Sequence, residues 1–117
     1  MYKPKYFTND EFERVACSVT QCNECSLARL DRAREIAGVP FVLTSAYRSP
    51  ESDRLKGRSG RGAHTLGRAF DIACRDSLTR YKIVFGAIAA GFTRIGIGST
   101  FVHMDDSDIS GPSIWLY

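Results

Sequence analysis

Apolar positions along this chain follow two rhythms, one of helices and one of strands, separated by stretches rich in glycine and serine. Residues 8–11, "TNDE", have the form of a capping box, a hydroxyl residue with a glutamate three positions on. They open a short helix that holds Phe12, Val15 and Ala16. After a cysteine-containing loop, Leu27, Leu30, Ala33, Ile36 and Ala37 recur at helical spacing. Arg29, Asp31, Arg32, Arg34 and Glu35 fill the wet face of that helix, and Gly38 with Pro40 stops it. "FVLTSAY" (41–47) reads as a strand from its β-branched and aromatic content, and "RSPESDRLKGRSGRG" (48–62) as a loop.

"GRAFDIAC" (67–74) is a second strand. Its alternation puts Ala69, Asp71 and Ala73 on one face and Phe70, Ile72 and Cys74 on the other. "SLTRYKIVFGAIAAG" (77–91) is a helix with Leu78, Tyr81, Val84, Phe85 and Ile88 turned inward, closed by Gly91. "FTRIGIG" and "FVHMD" follow as a hairpin-like pair of strands, and "IWLY" comes last. This order of elements predicts an α+β fold: a small, mainly antiparallel sheet flanked by helices.

The chain has 117 residues, 44% hydrophobic and 25% charged, which supports one core and one domain over residues 1–117. Its net charge of +3 gives weak attraction to an anionic polymer, nucleic acid or cell wall, without choosing between them. The basic stretch "RLKGRSGRG" is diluted by glycine and serine, so it reads as a surface loop, with no specific nucleic-acid partner expected. No apolar run is long enough to span a membrane, and "MYKPKYFTNDEFERVA" lacks the apolar core of a secretory leader. The expectation is a monomer made in the cytoplasm, without membrane insertion.

Four cysteines stand at positions 17, 22, 25 and 74, and Cys22 with Cys25 forms a single CxxC. A structural zinc site usually has two such pairs. Buried thiols with one disulfide, a structural zinc using Cys74 as a distant ligand, and a redox pair are the three readings open.

An acid inside an apolar strand needs a counter-charge or a metal. Asp71 stands seven positions after His64, one of only two histidines in the chain, and the other, His103, lies in the neighbouring strand "FVHMD". Three ligands of the types His, Asp and His leave one coordination position open, the arrangement of a catalytic zinc site. Ala69 and Ala73 beside Asp71 leave room for metal, water and substrate, and Gly67 lets the chain turn between His64 and Asp71.

"LTSAYRSPESDRLKG", "GAHTLGRAFDI" and, 32 positions after Asp71, "FVHMD" together resemble the zinc D-Ala-D-Ala carboxypeptidase family. Its wider clan includes L-alanyl-D-glutamate endolysin peptidases, vancomycin-resistance D,D-dipeptidases and the hedgehog signalling domain. The similarity runs from about Phe7 to the C-terminal end. It implies a hedgehog/D,D-peptidase-like fold and one catalytic zinc ion on His64, Asp71 and His103. The activity implied is hydrolysis of peptide bonds involving D-amino acids in bacterial peptidoglycan, by carboxypeptidase or endopeptidase action. The small size and missing leader fit a bacteriophage-type lysis enzyme that reaches the wall after release or delivery. A non-catalytic zinc-bearing cell-wall-binding module is the alternative.

The resemblance also assigns residues around the metal. Arg48 matches an arginine near the substrate, where a guanidinium binds a carboxylate or the developing oxyanion; the alternative is a salt bridge holding the strand end to the next loop. Ser45 and Tyr47 are candidates for a hydrogen bond to substrate, and Trp115 for an aromatic wall of the cleft or for packing at the chain end. The acid that several clan members carry three residues before the last histidine is Thr100 here, which cannot act as a base. In an extended "FVHMD", His103 and Asp105 project to the same side, so Asp105 is expected as proton acceptor or as support for a ligand, a solvated turn acid being the alternative. Asp106 and Asp108 read as turn residues.

Overall fold

The computed structural model describes residues 2–117. In chain order the elements are α1 (Asn9–Glu13), a 3-10 turn (Val19–Gln21), α2 (Glu24–Ala37), β1 (Leu43–Ser45), α3 (Pro50–Leu55), a second 3-10 turn (Ala63–Leu66), β2 (Ala69–Ala73), α4 (Ser77–Ala90), β3 (Arg94–Ile97), β4 (Phe101–Asp105) and β5 (Ser113–Leu116). The five strands form one sheet in the order β1-β2-β4-β3-β5. Every pair is antiparallel except β3 with β5. The α+β fold with a mainly antiparallel sheet is therefore the one expected.

Period-2 alternation sorts β2 and β4 into two faces. Phe70, Ile72, Val102 and Met104 are fully buried and join Leu27, Leu30 and Ala33 of α2 and Ile83 and Ala87 of α4 in one core. Asp71, His103 and Asp105 stand on the other face, as the alternation of β2 predicts.

Helix α4 packs against α2 by a face different from the expected one. Its buried residues are Ile83, Gly86 and Ala87, while Leu78, Tyr81, Phe85 and Ile88 are exposed and Val84 is half-buried. The reason is close approach. A Cβ on Gly86 would lie 2.5 Å from the carbonyl oxygen of Ala33 and 2.9 Å from the Cβ of Ala37. The small face lets the helices touch backbone to backbone, and a face of large side chains would hold them apart.

Three further expectations change. The 48–62 stretch is not all loop, because Ser49 and Pro50 start α3; the Ser49 hydroxyl accepts from Ser52 N–H at 3.0 Å, and proline suits a first helical turn. Asp31 is buried rather than solvated: it accepts from the Lys5 and Tyr6 backbone N–H groups at 2.7 and 3.1 Å and from the Tyr2 hydroxyl. Burial and that carboxylate push the Tyr2 hydroxyl up to about 12. Ile36 lies exposed at the margin of the α2 stripe.

All four thiols are free. Cys17 and Cys22, both buried, hydrogen-bond to each other, whereas Cys25 is exposed in the first turn of α2. The CxxC spacing thus does not mark the pair in contact. No helix among the described residues is long and apolar enough to cross a membrane.

Candidate metal centre

Three local structures converge on one point. The 3-10 turn Ala63–Leu66 carries His64 and ends at Gly67, whose φ of +70° is left-handed. A side chain at Gly67 would be strained there, and its Cβ would lie 2.6 Å from the Gln21 carbonyl oxygen. Gly67 is therefore the turn between the two candidate ligands, as the sequence suggests. Asp71 is the middle residue of β2, and the antiparallel register sets it directly opposite His103 of β4.

The His64 and His103 rings stand edge to face, 5.2 Å between centroids. Asp71 Oδ1 lies 3.4 Å from His64 Nε2 and 2.8 Å from His103 Nδ1. One ligand atom from each of the three residues lies within 4.8 Å of the other two. Each imidazole is held from behind. His64 Nδ1 is 2.7 Å from the Ala46 carbonyl oxygen, so it donates, and Nε2 keeps its lone pair toward Asp71. His103 Nε2 is 2.6 Å from Asp105 Oδ2, which leaves Nδ1 for the same point. Two inward nitrogens, one carboxylate oxygen and acceptors behind both rings are the donor set and outer support of a zinc site. These residues fit the ion.

The charges of the site hold one another in place. Burial alone would raise Asp71, but its contacts with the facing His103 and His64 rings outweigh it and hold its carboxyl below the usual range. Burial alone would lower His103, but the Asp105 and Asp71 carboxylates outweigh it and the imidazole is raised.

Asp105 differs from the expectation of a proton acceptor beside the metal. Its side chain is fully buried behind His103, taking the Arg94 guanidinium at 3.0 Å and the Ser107 hydroxyl and N–H at 2.8 and 3.1 Å. That enclosure suits the other expected role, support for His103. Asp106 is also no solvated turn residue. Its carboxylate is buried and receives the Ser26 hydroxyl at 2.7 Å, Arg29 at 2.5 Å and Arg68 at 3.1 Å. Thr100 sits exposed between β3 and β4, with its carbonyl oxygen accepting from Cys74 N–H at 2.9 Å.

A cavity of about 180 Å³ opens over His64 and Asp71, walled by Arg48, Asp53, Arg58, Phe101 and Tyr117. Arg48 makes the salt bridge that was its alternative reading, to Asp53 at 3.0 Å, and also donates to Ser45 Oγ at 3.0 Å. It still lines the cavity. Ser45 and Tyr47 line an adjoining cavity of about 420 Å³ that shares Arg48 and Arg58 with the first. Trp115 lies 5.4 Å from the His103 ring, under the Arg94 guanidinium.

Sequence reasoning missed Tyr117, Phe101, Arg58, Asp53 and Arg94. For Tyr117 the signal was available: it follows Trp115 by two, hence shares its face in an extended segment. For Arg94 it was not, because only the β3–β4 register brings it opposite Asp105. Gly96 makes room for the aromatic wall, since a Cβ there would lie 2.6 Å from the Tyr117 ring and 2.8 Å from Trp115.

The family model described as Peptidase M15 matches residues 5–105, a span that holds His64, Asp71, His103 and Asp105 and stops before Trp115 and Tyr117. No curated protein matches the chain.

Proposed function

The chain belongs to the M15 peptidases, zinc-dependent hydrolases, and on that premise we propose that it cleaves peptide bonds involving D-amino acids in the stem or cross-bridge peptides of bacterial peptidoglycan. The observation that carries the reading is the convergence of His64, Asp71 and His103, with both imidazoles held from behind in the tautomers a metal needs. Zinc bound there supplies an acidified water and polarises the scissile carbonyl.

The chain's own residues do the rest. Asp105 orients His103 and strengthens it as a ligand, and Arg94 and Ser107 hold Asp105 in turn. Arg48, fixed by Asp53 and Ser45, presents its remaining N–H groups to the cavity, where they meet the developing oxyanion or a substrate carboxylate. Ser45 and Tyr47 line the continuation of the cleft, and Trp115 and Tyr117 give the metal side an aromatic wall against which a peptide packs. The activity belongs at the cell wall, after release or delivery.

A second reading, a zinc-bearing module that binds the wall without cutting it, draws on one feature: with Thr100 at the usual acid position and Asp105 enclosed, the described residues place in the metal cavity no carboxylate besides Asp71 and the paired Asp53. Mass spectrometry of muropeptides digested with zinc-loaded protein, with and without a chelator, separates the two. Chelator-sensitive release of a peptide or free D-amino acid is expected, and its mass identifies the bond. Retention on peptidoglycan with no product released would leave only the binding module.

A further inference from the structure

Resting on that reading, we propose that the cavity adjoining the metal pocket is a subsite for a free carboxylate of the peptide substrate, recognised by Lys56 and Arg58. The cavity, about 420 Å³, meets the metal pocket at Arg48 and Arg58, so a peptide lying across the metal continues into it. Its volume is in the range of small-ligand sites.

The charge on its walls is one-sided. Arg48, Lys56 and Arg58 line it, and no aspartate or glutamate does. Arg48 is already matched by Asp53 at 3.0 Å, and Asp53 is filled by Arg48 and by Gly60 N–H at 2.9 Å. Among the described residues neither Lys56 nor Arg58 has an acid within 4.0 Å of its charged group. Their backbones are nevertheless fixed: Lys56 N–H closes α3 on Ser52 and Asp53, and Arg58 N–H bonds the Asp53 carbonyl oxygen at 3.1 Å. Two cations on a pinned turn, neither held in an ion pair although Asp53 attracts Arg58 from beyond contact distance, therefore line a cavity with Val15, Tyr47 and Ser45. That combination takes an amphiphilic residue with a negative end. A carboxylate accepts charge-assisted hydrogen bonds there, and its amide gains only neutral ones, about half as strong.

The test uses zinc-loaded protein and a matched pair of muropeptides, one with the α-carboxylate of its D-glutamate free and one with that group amidated. The free acid is expected to show a KM about tenfold lower at similar kcat. The double variant Lys56→Met/Arg58→Gln should raise KM for the free acid about tenfold and that for the amide by much less, with the zinc content and the Tm unchanged. Equal KM values for the two substrates in the native protein, or a variant that weakens both alike, would overturn the subsite. If neither substrate is cut, the peptidase reading fails instead. Calorimetric binding of the same two peptides then decides the subsite: tighter binding of the free acid, lost in the double variant, upholds it, and equal binding ends it.

Discussion

The two faces of β2 and β4 are held by opposite means. On one, Asp71, His103 and Asp105 are fixed by hydrogen bonds that join them to one another and reach outward to Arg94 and Ser107. Direction matters there, since each bond decides which nitrogen of a histidine points inward. On the other, Phe70, Ile72, Val102 and Met104 are fixed by packing against α2 and α4, where shape and volume decide. The polar face therefore tolerates almost no change of chemistry, and the apolar face almost no change of volume.

The largest effect should come from testing volume where the helices touch. Gly86→Ala adds one carbon, and in an exposed helix that change would gain about 1 kcal/mol from propensity. Here the new Cβ meets the backbone of Ala33 at 2.5 Å, which cannot swing aside. Unfolding experiments should show a net loss of about 2 kcal/mol, within the range for overpacking, and a Tm lower by roughly 10 °C. Zinc affinity of the folded protein should be unchanged. A stabilised Gly86→Ala would mean that α4 does not sit on α2 by this face.

Chemistry without volume is tested next by Asp105→Asn, nearly isosteric with the native residue. If Asp105 positions His103, zinc affinity should fall about 10- to 100-fold, as for other partners behind metal ligands, and excess zinc should restore much of the turnover. A proton acceptor would behave differently. Its loss would leave zinc affinity intact and lower turnover by about 10² to 10⁴ at any zinc concentration. Zinc titration of both proteins, followed by turnover at saturating metal, distinguishes the two roles.

The same contrast explains what was legible in the sequence. The metal face was readable because an acid in an apolar strand demands a partner, and alternation says which neighbours share its side. His64, Asp71 and His103 were candidates from that and from scarce histidines, and the resemblance to the zinc carboxypeptidases joined them into one ligand set. The role of Asp105 was only half readable: alternation sets it beside His103, but its burial depends on Arg94 across the β3–β4 register and on Ser107. Asp31 and Asp106 look like surface acids until distant donors arrive, Tyr2 and the 5–6 backbone for one, Ser26, Arg29 and Arg68 for the other. For α4, hydrophobicity pointed the wrong way. Its largest apolar residues form one stripe and its smallest another, and the choice between them was made by the Ala33–Ala37 surface of α2, which admits a glycine and nothing larger.

The smallest expected effect is the sharpest check on that choice. Phe85 belongs to the stripe that hydrophobicity alone would bury, and truncating a buried phenylalanine costs about 3–5 kcal/mol. In the fold its side chain is half in solvent, and its notable ring contact is with Tyr81, stacked at 6.3 Å and itself exposed. Phe85→Gln keeps a good helix former and gives up only that contact, about 0.5 kcal/mol. Urea unfolding should therefore show a small drop in midpoint with no change in slope, because the surface exposed on unfolding barely alters. A loss of 3 kcal/mol or more would return Phe85 to the core and require α4 to turn by about half a rotation, carrying Gly86 away from Ala33.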